Sequence, residues 1–324
     1  MVGMGTGVAP WESGHQAGVY ILFPFLRVNA FVINPKQIMP LKIAVPNKGR
    51  LMEETLDLLR DVGIRVPRQT DRTLIATTNG GKYQVLFARA ADIPEFVELG
   101  AADVGVTGLD LIEETGCKVE KLLDLKYGHC KLVVAAPEHS GITTVAKTPS
   151  GARVATAFPN LTRRFFEGKK KKVTVVPVSG ATEITPSIGV ADLITDLTQT
   201  GSTLKQNHLI ELDTILQSWA VFIAGPTIKA DVRQDAEDLV HAFDSVENAL
   251  RKRYLMANIP EKQLTAVVTL IPGLKSPTVM NLAERGMVAV HAVVDEDMVT
   301  SLVPQLKKAG ASGILVLPIE RMVP

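Results

Sequence analysis

The chain has 324 residues, of which 46% are apolar and 21% charged, and its formal net charge is +1. That length suits two or three domains with sizeable cores, and the near-neutral balance points to neither nucleic acid nor a membrane surface. Its two cysteines, Cys117 and Cys130, lack a zinc-like spacing, which argues against a disulfide framework or structural zinc and fits a reducing cytoplasm.

The opening stretch VYILFPFLRVNAFVINP is apolar but interrupted by Pro24, Arg27 and Asn29. An unbroken bilayer span needs roughly 20 apolar residues. A secretory signal wants an early positive charge, yet Arg27 is the first basic side chain apart from His15. Residues 1–38 therefore read as an upstream extension, as a misplaced start would leave, with an added edge strand or oligomer arm as the alternative.

From Met39 the pattern becomes regular. LKIAVPNKG is an apolar run closed by turn residues. RLMEETLDLLRDVG follows as a helix, with Leu51, Thr55, Leu58, Leu59 and Val62 on one face and Gly63 as its stop. YQVLFARAAD, ADVGVTG, CKLVVAAPE, ARVATAF, KVTVVPVSG, ADLITDL and WAVFIAGP read as strands, with ADIPEFVELG and NLTRRFFEGK as helices among them. Such alternation predicts an α/β fold with largely parallel sheets. LGAADVGVTGLDLIEE and IGVADLITDLTQTGSTL share Gly-x-Ala-Asp, an apolar strand and a glycine turn. This echo suggests two lobes on one plan, centred on Asp103 and Asp192, with a ligand between them.

After Pro226, DVRQDAEDLVHAFDSVENALRKRYLMAN reads as one long amphipathic helix, acidic at its start and basic at 251–253, as the helix dipole favours. EKQLTAVVTLIPG and EDMVTSLVPQLKKAG read as helices, and PTVMNL, MVAVHAVVD and SGILVLPIE as strands. This is a small ferredoxin-like α+β unit, serving dimerisation or ligand sensing.

The chemistry concentrates at strand ends. DLTQTGSTL, from Asp196 to Leu204, follows a strand and precedes a helix-capable run. Its glycine permits a tight turn and its consecutive N–H groups form an anion nest, while a carboxylate accepts sugar hydroxyls. A phosphorylated sugar fits this arrangement; a helix cap with an ordinary turn is the simpler alternative. Lys48 and Arg50 in VPNKGRL can neutralise phosphates, although a basic turn alone would look the same. Arg89 ends a strand ahead of Asp92, a helix cap with Pro94 in the first turn. Glu183 in VSGATEITP binds a hydroxyl or caps a turn, equally. The lysine run at 169–172 lacks interleaved aromatics and reads as a solvated turn. None of the six histidines makes a metal pattern, and the lobes hold no Walker A, G-x-S-x-G or G-x-G-x-x-G motif.

Together these stretches resemble the long form of ATP phosphoribosyltransferase. The resemblance covers the chain from about Met39 to Pro324 and is carried by IAVPNKGRL, RAADIPEFV, ADVGVTG, GHCKLVVAAP, RVATAFPNLTRRFF, ADLITDLTQTGSTL, RKRYLMANIP, LIPGLKSPTV and LKKAGASGILVLPIE. It implies two periplasmic-binding-protein-like lobes and a C-terminal ferredoxin-like regulatory domain. The divisions expected are 39–131 with 208–230 for lobe I, 132–207 for lobe II and 231–324 for the regulatory domain. It also implies transfer of the phosphoribosyl group of phosphoribosyl pyrophosphate to N1 of ATP, with Mg2+, at the first step of histidine biosynthesis. Asp196, Thr198, Gln199, Thr200, Gly201, Ser202 and Thr203 would hold phosphoribosyl pyrophosphate, with Glu183, Lys48, Gly49, Arg50 and Arg89 as further cleft contacts. Histidine as feedback inhibitor would meet Asn258, Leu274, Thr278, Ala292, Val293 and Gly313, and the chain would assemble as dimers and hexamers. Some relatives carry aspartate where this chain has Asn258. A non-catalytic two-lobed solute-binding protein is the alternative; it would leave the phosphate-binding loop unexplained.

Deleting residues 1–38 is expected to leave soluble, active protein, because MPLKIAVPNKGRL already opens the first strand. Comparing yield and turnover of the shortened and full chains checks this; a large loss would make the segment structural.

Overall fold

Residues 39–66, 74–271 and 276–323 are described by the computed structural model, and the readings of residues 1–38 lie outside them. Among the described residues the strands form three sheets. The first is ordered β2 (Ile75–Thr78), β3 (Tyr83–Ala88), β1 (Leu41–Pro46), β4 (Val104–Gly108), β11 (Ala220–Ala224), β5 (Glu120–Asp124). The second is ordered β10 (Leu209–Ser218), β6 (Cys130–Pro137), β9 (Leu193–Thr198), β7 (Ala152–Thr156), β8 (Val173–Pro177). The third is ordered β13 (Thr278–Asn281), β14 (Met287–Asp295), β12 (Lys252–Pro260), β15 (Ser312–Pro318). Helices α1 (Met52–Asp61), α2 (Ile93–Glu98) and α3 (Leu109–Thr115) belong to the first lobe, and α4 (Pro159–Gly168) and α5 (Ser202–Gln206) to the second. Helices α6 (Ala230–Ala249), α7 (Leu264–Leu270) and α8 (Glu296–Lys308) follow.

The first two sheets share one plan. In the first, β1 lies parallel to β3 and β4, and β11 closes antiparallel against β4 and β5. In the second, β7 lies parallel to β8 and β9, and β6 closes antiparallel against β9 and β10. Each lobe thus takes an antiparallel strand that follows a crossing of the chain. The sequence echo marks this repeat at atomic level. The Asp103 carboxylate accepts from Lys42 N at 2.9 Å, and the Asp192 carboxylate accepts from Arg153 N at 2.8 Å. In return Asp103 N donates to Lys42 O and Asp192 N to Arg153 O. Each aspartate therefore staples the start of β4 or β9 to the neighbouring parallel strand. Gly100 and Gly189, three residues earlier, both sit at positive φ, +74° and +75°, where a side chain is strained. The Gly-x-Ala-Asp echo thus marks the same turn and the same backbone staple in each sheet.

The sheets are mixed and not largely parallel, because only the pairings of β1 with β3 and β4 and of β7 with β8 and β9 are parallel among the described residues. Three further sequence expectations change. The long helix stops at Ala249. From residue 252 the side chains alternate, with Leu255, Ala257 and Ile259 buried and Tyr254, Met256 and Asn258 half-exposed, which is the period of a strand. Second, α6 is part of the first lobe: Val232, Ala236, Leu239, Phe243 and Val246 pack in one cluster with β1, β3, β4 and β11. Phe243 meets Phe222 edge-on at 5.1 Å between ring centroids. A regulatory unit starting at 231 would cut that core. Third, 209–218 is a strand of the second sheet, paired with β6, so the chain returns to the first lobe at Trp219 and not at 208. Two register breaks in β10, between Glu211 and Asp213 and between Thr214 and Leu216, blur its alternation.

The third sheet buries Leu255, Ile259, Val288, Val290 and Val294 under α7 and α8, through Val267, Leu302 and Leu306. No helix among the described residues is long and apolar enough to cross a membrane.

Ending the chain at Ala230 would strip α6 from the first core, whereas ending it after Leu250 keeps it whole. Each buried side chain lost costs on the order of 2–5 kcal/mol. The shorter form is expected to be insoluble or unfolded by circular dichroism and the longer one folded; equal stability of the two would contradict the assignment of α6.

Candidate active site

In both lobes the parallel strands run so that their carboxyl ends open onto turns, the usual position of a ligand crevice. The turn after β1 carries Lys48, Gly49 and Arg50, and Pro46 is paired with Ala88, so Arg89 leaves the same edge. In the second sheet the turns after β8 and β9 carry Glu183 and the stretch from Gln199 to Gly201.

The loop after β9 is ordered by its own hydroxyls. Thr198 Oγ1 accepts from Gly201 N at 2.9 Å, and the hydroxyls of Thr200 and Ser202 lie 3.0 Å apart. Gly201 stands at φ +76°, immediately before α5, where a β-branched residue is strained. Leu204 anchors α5 on Val133, Ala135 and Ile194. Thr198, Gln199, Thr200, Ser202 and Thr203 then line a cavity of about 240 Å³, together with Leu197, Arg50 and Cys130. One lobe supplies Arg50 and the other the loop. Asp196, within β9 two residues before its end, is half-buried and accepts from Leu197 N at 2.8 Å. Burial raises its pKa, partly offset by that amide, and the nearby Glu183 carboxylate raises it further. Glu183 follows Ala181, a non-glycine residue at φ +50°. Such backbone strain needs surrounding structure to hold it. Lys48 and Arg89 are exposed, and neither side chain is hydrogen-bonded among the described residues. Asp92 takes the N-cap position of α2 with Pro94 in the first turn, but its carboxylate makes no capping bond.

Arg50 is engaged as well as placed. Its guanidinium donates to Gly128 O and, at 3.0 Å, to Asp110 Oδ1. Asp110 is 1% exposed, and its Oδ1 also accepts from Ser218 Oγ. Gly128 and Ser218 flank the two points where the chain crosses between lobes, and Ser218 is paired with Cys130. Residue 108 must be small here, because a Cβ would come within 2.3 Å of Asp110 Oδ1. Asp110, Ser218 and Cys130 were missed from sequence. The available signal was an aspartate directly after the strand–glycine unit ADVGVTG, but its partner lies 108 residues away.

Of the residues attached to histidine binding, Asn258 faces away from the third core, opposite Ala289, and its amide lies beside Gly313, where a Cβ would come 3.1 Å from Nδ2. Val293 is half-exposed and pairs with Tyr254, while Thr278 is exposed at the sheet edge opposite His291. Ala292 is 6% exposed within the core, on the opposite face from Asn258, so only its backbone can join the others. Leu274 lies outside the described residues.

The ATP phosphoribosyltransferase (HisG) family model matches residues 89–245, and the HisG C-terminal domain model matches 249–321. The join falls where α6 ends. An ATP phosphoribosyltransferase of Gemmatimonas aurantiaca is 50% identical over 293 residues, covering 88% of this chain and 100% of the relative. One of Methanosarcina mazei is 47% identical over 290 residues with the same coverage. Among solved structures, an ATP phosphoribosyl transferase (HisG:HisZ) complex from Thermotoga maritima aligns at a TM-score of 0.56 and 29% identity, over 63% of this chain and 96% of that one. With matches along the full length of these relatives, the solute-binding alternative is not favoured. The chain belongs to the ATP phosphoribosyltransferase family, the pentosyltransferases that open histidine biosynthesis by moving the phosphoribosyl group of phosphoribosyl pyrophosphate onto N1 of ATP.

Proposed function

We propose that the 196–203 loop holds the 5-phosphate and ribose of phosphoribosyl pyrophosphate, and that Arg50 faces the pyrophosphate from the other lobe. The observation that carries this is the single cavity lined by Arg50 and by Thr198, Gln199, Thr200, Ser202 and Thr203. In this reading the Thr200, Gly201, Ser202 and Thr203 donors take the phosphate. Asp196 accepts the ribose hydroxyls, Glu183 is a second contact from its lobe, and Lys48, Gly49 and Arg89 face nucleotide or pyrophosphate oxygens. The adenine N1 lone pair attacks the anomeric carbon while the bond to pyrophosphate breaks and its electron pair leaves with pyrophosphate. N1 needs no base to free its lone pair. The protein's contribution is to orient two polyanions and stabilise the leaving group.

Mg2+ fits this donor set. No group of three or more His, Cys, Asp or Glu among the described residues makes a metal cage. Mg2+ instead commonly takes one or two carboxylates plus substrate phosphates. Asp196 and Glu183, whose mutual repulsion contributes to the raised Asp196 pKa, would provide them. The ion would neutralise charge on the departing pyrophosphate. Histidine is proposed as the inhibitor bound beside Asn258, Thr278, Val293 and Gly313, and a homo-oligomer, dimer to hexamer, as the assembly.

Asp196→Asn removes the charge and one acceptor oxygen. Losing a charge-assisted bond costs about 1.5–3 kcal/mol, or roughly ten- to a hundredfold in kcat/KM for phosphoribosyl pyrophosphate. ATP should be affected less, and Gly201→Val should be worse. In wild type, KM for phosphoribosyl pyrophosphate should rise on acidification at a higher pH than an ordinary carboxylate would give, and Asp196→Asn should abolish that dependence. Folding stability has the opposite sign. A raised folded-state pKa favours the fold below the unfolded pKa, and that contribution is lost as pH rises through the folded value. Asp196→Asn should therefore melt at or slightly above the wild-type temperature at neutral pH. Asp192→Asn, which breaks the strand staple, should instead lower the melting temperature more than turnover. Steady-state kinetics across pH beside melting curves checks all of these; wild-type kcat/KM in Asp196→Asn would remove the role given to the loop.

Asn258→Asp would offer a carboxylate to the ammonium of histidine. Inhibition by histidine is expected to tighten by about tenfold, the size of one charge-assisted bond. Inhibition curves check this, and an unchanged or weaker response would place the ammonium elsewhere.

A further inference from the structure

Helix α4 opens without a side-chain cap of its own, since Phe158 holds the N-cap position. Its first-turn donors can nevertheless be followed one by one. Phe158 N donates to Thr156 Oγ1 at 2.9 Å. The next position is Pro159, which has no N–H. Asn160 N and Leu161 N both donate to the Glu114 carboxylate, to Oε1 at 2.8 Å and to Oε2 at 2.9 Å. Thr162 N returns to Phe158 O. The donors of this turn are thus completed by one carboxylate, and that carboxylate comes from the other lobe. Glu114 lies on α3, which follows β4 of the first sheet, whereas α4 follows β7 of the second.

Further contacts reinforce the junction. Asn160 Nδ2 donates to Glu114 O at 3.0 Å, and the Arg164 guanidinium donates to Glu113 O. Leu111 of α3 packs against Leu132, Phe158 and Leu161 of the second lobe. The other end of α3 sits on the crossing: Leu109 N donates to Trp219 O and Asp110 N to Ser218 Oγ, each at 3.0 Å. One short helix therefore touches the hinge at its start and clasps the opposite lobe at its end.

We propose that Glu114 is a positioning residue for the transfer reaction: by capping α4 from the opposite lobe, it holds the lobes at the separation at which Arg50 and the phosphate loop line one cavity. Among the described residues Glu114 is hydrogen-bonded to Asn160 and Leu161 and not to the residues lining that cavity, so it acts through α4. Two amides at a helix N-terminus, where the partial charge is positive, favour an anion, so the clasp adds to closure instead of merely tolerating it. Removing a helix cap of this kind typically shifts the equilibrium it supports by roughly tenfold. The proposal rests on the reading that this cavity takes phosphoribosyl pyrophosphate.

The test uses the full chain with Glu114→Ala, Glu114→Gln and Leu111→Ala. Amide hydrogen exchange without substrate reads the clasp itself. Steady-state kinetics with phosphoribosyl pyrophosphate and with ATP varied reads its consequence. In Glu114→Ala, exchange at Asn160 and Leu161 should rise about tenfold, and KM for phosphoribosyl pyrophosphate by a similar factor, with kcat changed much less. Glu114→Gln keeps one acceptor oxygen and should recover part of both. Leu111→Ala loosens the same junction without touching the carboxylate and should raise the same KM. Wild-type exchange at Asn160 and Leu161 in Glu114→Ala would overturn the clasp. Raised exchange with unchanged KM, while Asp196→Asn still loses kcat/KM, would overturn the positioning role and leave the loop assignment standing.

Discussion

The fold of the two lobes depends on a buried negative charge that cannot be left alone. Asp110 is almost fully buried, and a carboxylate in that position is stable only if its charge is paired and its oxygens are hydrogen-bonded. Its pairing is what fixes the hinge. Arg50 supplies the charge, and the same guanidinium reaches Gly128 O on the outward crossing. Ser218, on the return crossing, supplies the hydroxyl. The two connecting segments therefore converge on one ion pair, the outward crossing through Arg50 and the return crossing through Asp110. The Asp110 Oδ2 atom has no hydrogen-bond partner among the described residues. Losing either existing partner would expose the full desolvation cost of the charge, which makes this arrangement close to all-or-none. Arg50 is consequently shared between structure and site: it is one-quarter exposed, enough to line the cavity, yet held from behind.

Around that point the lobes are copies of one design. Asp103 and Asp192 perform the same backbone staple in each, and each follows a left-handed glycine. The repeat places two sets of strand ends opposite one another, so loops of quite different composition become neighbours. At the shared cavity the first lobe contributes Arg50, and the second contributes the loop residues Thr198, Gln199, Thr200, Ser202 and Thr203. A cation on one side and small donors on the other suit an anionic ligand.

Much of this was legible in the sequence wherever the information was local. The strand–turn–helix from Leu41 to Asp61, the turn from Asp196 to Thr203 and the Gly-x-Ala-Asp echo all announce themselves within short continuous segments, through periodicity and glycine placement. What failed was non-local or irregular. The amphipathic pattern of α6 runs directly into Arg251, Lys252 and Arg253, so charge continued the helix on paper while the alternation from Tyr254 to Ile259 ended it in space. β10 was missed because its bulges break the two-residue period, and β5 because its sequence EKLLD is half charged, being an outer strand of its sheet. The pairing of Glu114 with α4 spans 46 and 47 residues and leaves no mark in either segment. Asp110 likewise looks like any acidic residue in the first turn of a helix until its burial is known.

The central claim is that a first-lobe arginine and the second-lobe loop act on the two ends of one bound substrate. A crystal structure of the chain with phosphoribosyl pyrophosphate and Mg2+ tests it most directly. The account predicts the 5-phosphate on the amides and hydroxyls of Thr200 to Thr203, ribose hydroxyls at Asp196, and pyrophosphate oxygens toward Arg50. A 5-phosphate bound away from that loop, or pyrophosphate with no approach to the first-lobe cations, would contradict it.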